Sequence, residues 1–229
     1  MSRPDETEHI PQILTLSRPL ELAEAHNAII ISPSYRLIPE ATGGDVMDDI
    51  TDFWHWVHSG LSSALLAEKP NIDLDLARIA AVGESAGGFL TLQSTLLFPD
   101  AKIKAAIAQY PSQYPDVAAF DPPPAEVDAE LNNVVSEYLR GIKPGAMRVS
   151  TPFPENLALV QAVLTTGRYR EIFGDDERVT LGHALAVAKE ISPMWIVQGS
   201  DDQSVSMNYT AGGRISADIV GFIDTETGN

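Results

Sequence analysis

Apolar positions along this chain follow two patterns. The runs Ala28–Ile31, Ile79–Val82, Ile103–Gln109 and Pro193–Gln198 are continuously apolar or nearly so, as in strands covered on both faces of a parallel sheet. Between them lie stretches with helical three- and four-residue spacing. The clearest begins at Asp45 and places Val46, Ile50, Phe53, Val57 and Leu61 on one face, with acids in its first turn. Further helices are predicted at Pro19–Ala25, at Ala86–Phe98, near Glu126–Arg140, near Glu155–Thr166 and at His183–Glu190. Strands and helices alternating in this order predict an α/β fold, a mostly parallel sheet flanked by helices in three layers. Ile13–Leu16, between Pro11 and Pro19, has the composition of one more short strand.

The rhythm breaks from Ser112 to Thr180, where Pro122-Pro123-Pro124 and other prolines separate the predicted helices. An excursion of this length at the carboxyl ends of parallel strands is where a lid over a site belongs, so 112–180 is expected to be a helical, lid-like insertion; plain surface decoration is the alternative. Residues 1–18 are expected to be a loosely attached tail and 19–229 a single domain.

Composition narrows the function classes. The 229 residues, 44% of them hydrophobic, suit one domain with a well-buried core. Fifteen basic against 32 acidic side chains leave a net charge of −17, which repels phosphate backbones and anionic membranes, so no nucleic-acid partner is expected. There is no cysteine, and hence neither a disulfide nor a thiolate metal site. Trp54, His55, Trp56 and His58 invite a metal or cofactor reading, but two histidines three apart without a third ligand hold a metal poorly, and packing is the expected role. No metal or cofactor is expected. Met1–Pro11 is charged and proline-containing rather than a leader, and no segment approaches the ~18 continuous apolar residues of a membrane span. A cytoplasmic protein acting on a small molecule is the resulting expectation.

Gly83-Glu84-Ser85-Ala86-Gly87-Gly88 carries the chemistry. After an apolar strand and before a helical pattern, Gly-x-Ser-x-Gly forms a nucleophile elbow: the turn is so sharp that the serine sits strained with its hydroxyl exposed, and the glycines let backbones approach. Ser85 is the candidate nucleophile. A serine hydroxyl attacks only when a histidine takes its proton, and that histidine needs a carboxylate to orient it. In elbow-bearing hydrolases these follow in the order serine, acid, histidine. Asp201 and Asp202, just past the strand ending at Gln198, both stand where the acid belongs.

Tyr35-Arg36-Leu37-Ile38-Pro39-Glu40, the elbow, and Gly199-Ser200-Asp201-Asp202-Gln203-Ser204-Val205 together resemble the α/β-hydrolase fold-3 group, the hormone-sensitive-lipase-like esterases and lipases, from about Pro19 to Tyr209. The resemblance selects Asp202 over Asp201, because the acid of that family lies three residues after the glycine ending this strand. It implies carboxylic ester hydrolysis through an acyl-serine, with the Ala86 N–H as one oxyanion donor. Two departures accompany it. No His-Gly-Gly-Gly-type loop precedes Tyr35; Gly43-Gly44 lies on the wrong side of that landmark and is expected to be a turn before a helix. Moreover, all five histidines, His9, His26, His55, His58 and His183, precede Asp202, so residues 203–229 hold no general base. No spacing supports recruiting His183 or His9 instead. The expectation is a domain truncated at both ends, with feeble turnover.

Overall fold

A computed structural model describes residues 19–112, 128–152, 155–198 and 220–224. The chain divides into two compact units, Met1–Pro33 and Ser34–Asn229. In the first, α1 (residues 19–25) is closed by the Ala28 N–H donating to the Ala23 carbonyl at 2.8 Å, with Asn27 in the left-handed region at φ 49°. Residues 28–33 then run on with no ladder partner, and Ile29, Ile30 and Ile31 are exposed. The strand expected at Ala28–Ile31 is therefore not formed. A β-branched run supplies the side chains of a buried strand, but a strand also needs a second backbone to take its hydrogen bonds, and no described segment does so. The tail 1–18, with Ile13–Leu16, lies outside the described residues.

In the second unit β1 (Ile79–Glu84), β2 (Ile103–Gln109), β3 (Met194–Gln198) and β4 (Val220–Asp224) form a parallel sheet in chain order. Its helices are α2 (Gly43–Ser59), α3 (Leu61–Glu68), α4 (Ala86–Leu97), α5 (Ala129–Gly141), α6 (Leu157–Thr166), α7 (Tyr169–Phe173) and α8 (Leu181–Val187). One sheet face is shut: Ala106, Ala108, Met194 and Ile196 are buried with Leu92 and Leu96 of α4 and Leu181 and Ala184 of α8. On the opposite face Val82, Ile107 and Trp195 fall in one row across three strands, with Val82 38% and Trp195 40% exposed. Two of the three expected layers thus lie among the described residues. The carboxyl ends are flush, Glu84, Gln109, Val197 and Ile223 being in register, so whatever follows β1, β2 and β3 leaves from one edge.

The helix expected to start at Asp45 begins two residues earlier. Thr42 caps α2 in a reciprocal box, its hydroxyl accepting from the Asp45 N–H at 3.2 Å while the Asp45 carboxylate accepts from the Thr42 N–H at 2.8 Å. Gly43-Gly44 is therefore the first turn of the helix rather than a turn before it. A Cβ on Gly43 would come 2.6 Å from Val179 Cγ1, and one on Gly44 2.8 Å from Asp176 Oδ2, so the pair admits the 173–179 segment. Arg36 crosses to α2 and pairs with Asp45 at 3.0 Å and Asp49 at 2.8 Å, which accounts for the acids at the start of that helix. Val46, Ile50, Trp54 and Val57 are buried, and Trp54 Nε1 donates to Ser94 Oγ at 3.0 Å. The predicted continuation to Leu61 breaks at Gly60, and Leu61 starts α3 instead.

Asp176 joins α2 to the segment before α8. Its Oδ1 accepts from the Arg178 N–H at 2.8 Å, its Oδ2 from Arg178 Nη2 at 2.6 Å, and the same Nη2 lies 2.9 Å from Asp48 of α2. The hydrogen bond from Arg178 holds the Asp176 carboxyl below its ordinary range; those from Thr42 do the same for Asp45. A carboxylate lowered by folding contributes stability that is present above its unfolded pKa and lost as pH falls through its folded one. Thermal melts should therefore show Tm falling below roughly pH 4. Asp176→Asn should lower Tm at pH 7 and shrink the acid drop; an identical pH profile for that variant would dismiss the pair as a source.

The insertion has a small core of its own, Val135, Leu159, Ala162, Val163 and Ile172, drawn from α5, α6 and α7. Asp128 caps α5, so the helix expected near Glu126 starts at Ala129. The insertion is tied down at Glu40, whose side chain is only 8% exposed, accepts from Tyr138 Oη at 2.8 Å and lies 3.3 Å from Arg148 Nε. Beside it the Leu37 N–H donates to the Arg148 carbonyl at 2.7 Å. The Tyr35–Glu40 segment thus anchors α5 and the chain after it.

Candidate active site

Ser85 occupies the single residue between the end of β1 and the start of α4. Its backbone is at φ 50°, ψ −120°, a region that costs a non-glycine residue about 1–3 kcal/mol and persists only where neighbours enforce it. The enforcement comes from the chain leaving β2. The Ser85 N–H donates to the Gln109 carbonyl at 3.0 Å, and the Ser85 carbonyl accepts from the N–H groups of Ser112 at 2.9 Å and Phe89 at 3.0 Å. The residue is exposed, as an attacking hydroxyl requires.

The flanking glycines divide the work. A Cβ on Gly83 would fall on the Gly87 carbonyl and come 2.6 Å from Thr91 Oγ1; one on Gly88 would sit 2.9 Å from Pro111 Cα and 3.0 Å from the Gln109 carbonyl. Gly87 contributes its backbone to that close approach, but a Cβ of its own would meet nothing within 4 Å. Glu84, the variable residue of the motif, accepts from Tyr110 Oη at 2.7 Å, and Tyr110 is itself at φ 32°. The elbow is thus gripped by four consecutive residues, Gln109 to Ser112.

Ser85 Oγ lies 3.0 Å from Ser112 Oγ. Sequence reasoning singled out neither Ser112 nor Tyr110. The pointer available was positional: parallel pairing of β1 with β2 brings whatever follows Gln109 beside whatever follows Glu84. Ala86 opens α4, where the first N–H groups of a helix have no acceptor within it.

Among the described residues no histidine is hydrogen-bonded to Ser85. His58 Nε2 is 3.1 Å from the Ala101 carbonyl, His183 Nδ1 is 3.3 Å from Glu177 Oε2, and His55 is exposed on α2. Asp201, Asp202 and His9 lie outside the described residues. Gln198, the last described residue before the two acids, ends β3 one position past Val197, which is in register with Gln109 and Glu84. No described group of three or more His, Asp or Glu could hold a metal ion, and no described helix is long and apolar enough to cross a membrane.

Comparison with known proteins agrees with this geometry. The sequence profile of the α/β hydrolase fold matches residues 17–192. A protein named probable carboxylesterase from Phoma sp. is 30% identical over 200 residues, 81% of this chain. This chain spans 61% of that relative's length. Another protein so named, from Cochliobolus lunatus, is 31% identical over 193 residues, 78% of this chain and 86% of the relative. The crystal structure of an α/β hydrolase superfamily protein from Enterococcus faecalis superposes with a TM-score of 0.52 at 18% identity, covering 84% of this chain and 67% of that one, a likeness of fold alone. With the elbow in place at the edge of a parallel sheet and the profile matched over most of its length, the chain belongs to the α/β-hydrolase fold-3 family of esterases.

Proposed function

We propose that the chain is a serine hydrolase acting on carboxylic esters of small molecules, with Ser85 as its nucleophile. The observation that carries this reading is Ser85 itself: exposed, at positive φ, and clamped in that conformation at the carboxyl edge of the sheet. Its relatives named as carboxylesterases support the choice of esters among acyl compounds. The Ser85 hydroxyl attacks the ester carbonyl, the oxyanion is met by the Ala86 N–H, and the alcohol departs with the proton. Water then releases the acid and regenerates the serine. Asp202 is the acid that orients a general base, and the 112–180 insertion is a lid over the site.

That base is the weak point, because residues 203–229 contain no histidine. This, together with the absence of a His-Gly-Gly-Gly loop, supports slow turnover by this chain. It also favours a second reading, a non-catalytic member that binds a small ligand or a protein partner. A fluorophosphonate separates the two, since phosphonylation forms a bond from Ser85 Oγ to phosphorus with loss of fluoride and needs an activated serine. Mass mapping should place one adduct on Ser85 and none on Ser85→Ala; an unlabelled protein would favour the non-catalytic reading.

A further inference from the structure

The geometry points to Ser112 as a positioning residue for the nucleophile: its hydroxyl donates to Ser85 Oγ, fixing the Ser85 side chain and stabilising the negative charge left on that oxygen as its proton departs. The inference rests on the reading of Ser85 as nucleophile. Ser112 Oγ is 3.0 Å from Ser85 Oγ, and the same residue donates its backbone N–H to the Ser85 carbonyl at 2.9 Å. Two contacts from one residue leave little freedom in the placement of that hydroxyl. Pro111, packed against Gly88, and Tyr110, held by Glu84, fix the chain on the way to it.

The direction of the bond follows from the chemistry. A hydroxyl carries one proton and two lone pairs. While Ser85 keeps its proton, either oxygen can donate to the other. Once that proton has gone to a base, Ser85 Oγ can only accept, and Ser112 becomes the donor while keeping its own proton. The bond is then charge-assisted, roughly twice as strong as a neutral one, so it is worth more as charge develops than at rest.

The test is the rate of fluorophosphonate labelling of the intact chain, measured for the unaltered protein, Ser112→Ala, Ser112→Thr and Ser85→Ala, each checked for an unchanged Tm. Ser112→Ala is expected to slow labelling by about three- to tenfold, the value of one such hydrogen bond. Ser112→Thr, which keeps the hydroxyl, should return to within about twofold of the unaltered rate, a rescue that a mere packing role would not give. Equal rates for Ser112→Ala and the unaltered protein overturn this inference while leaving Ser85 as nucleophile. A slow Ser112→Thr with unchanged Tm overturns it as well, since space and not the hydroxyl would then matter. Absence of labelling in the unaltered protein overturns both readings together.

Discussion

Gly83→Ala should leave the chain unable to hold its native elbow, at a cost of about 3 kcal/mol or more, whereas Gly87→Ala should change stability by less than about 1 kcal/mol. The two glycines are equivalent in the Gly-x-Ser-x-Gly pattern and opposite in space. The added methyl at Gly83 would land on the backbone carbonyl of Gly87 and press Thr91, which is buried in the middle of α4. A flexible side chain can rotate out of such a collision, but a carbonyl at the first turn of a packed helix cannot. Relief would require α4 to withdraw from β1, taking with it Phe89, Leu90 and Leu92 of the core. Against a typical total stability of about 5–15 kcal/mol this is a large fraction. At Gly87 the new methyl enters open space in the first turn of α4, where alanine is the better helix former. Urea midpoints of the two variants provide the check. Equal midpoints would mean that the close packing of β1 and α4 at the elbow is not what the motif's first glycine secures.

How much of this arrangement the residues announce depends on whether the deciding contact is local. The elbow is local: strand, serine and helix follow one another, and Ser85 has the strained backbone expected of it. Strands β1, β2 and β3 announce themselves because burial on both faces demands unbroken apolar runs, and the structure extends β1 by two residues, through Gly83 and Glu84. Ala28–Ile31 carries the same kind of run without forming a strand, since composition states what a strand can bury and not whether a neighbour is present to pair with it. The opposite error is β4, in which Gly221 interrupts a short run and pairing with β3 decides the matter. Thr42 as a cap was there to be seen, three residues ahead of Asp45, but the pair of glycines between them suggested a turn. What could not be read at all was the grip of Gln109–Ser112 on the elbow, because it depends on which strand lies beside which and in what register.

With an activated ester such as a nitrophenyl acetate, the chain is expected to release at most about one equivalent of nitrophenolate per Ser85 and then almost to stop. Acylation still requires a base to take the Ser85 proton, which water or buffer supplies only slowly, but the carbonyl is reactive and the leaving group requires no proton. Completing the cycle is harder, because water must be deprotonated to cleave the acyl-serine, and that task falls to the histidine of a complete triad. Residues 203–229 contain no histidine, while His58 and His183 are tied to Ala101 and Glu177. In a well-built site, loss of the histidine lowers kcat by roughly a millionfold, and a missing oxyanion donor costs a further hundred- to thousandfold. Turnover after the first equivalent should therefore lie within reach of the uncatalysed rate, while an acetyl group, 42 Da by its chemistry, stays on Ser85 long enough for intact-mass detection. Ser85→Ala should abolish the initial release and the adduct together. Sustained turnover at ordinary esterase rates would require a base outside the serine–acid–histidine chain order. Substituting each histidine in turn, His9 and His26 included, would then identify it by which change stops the reaction.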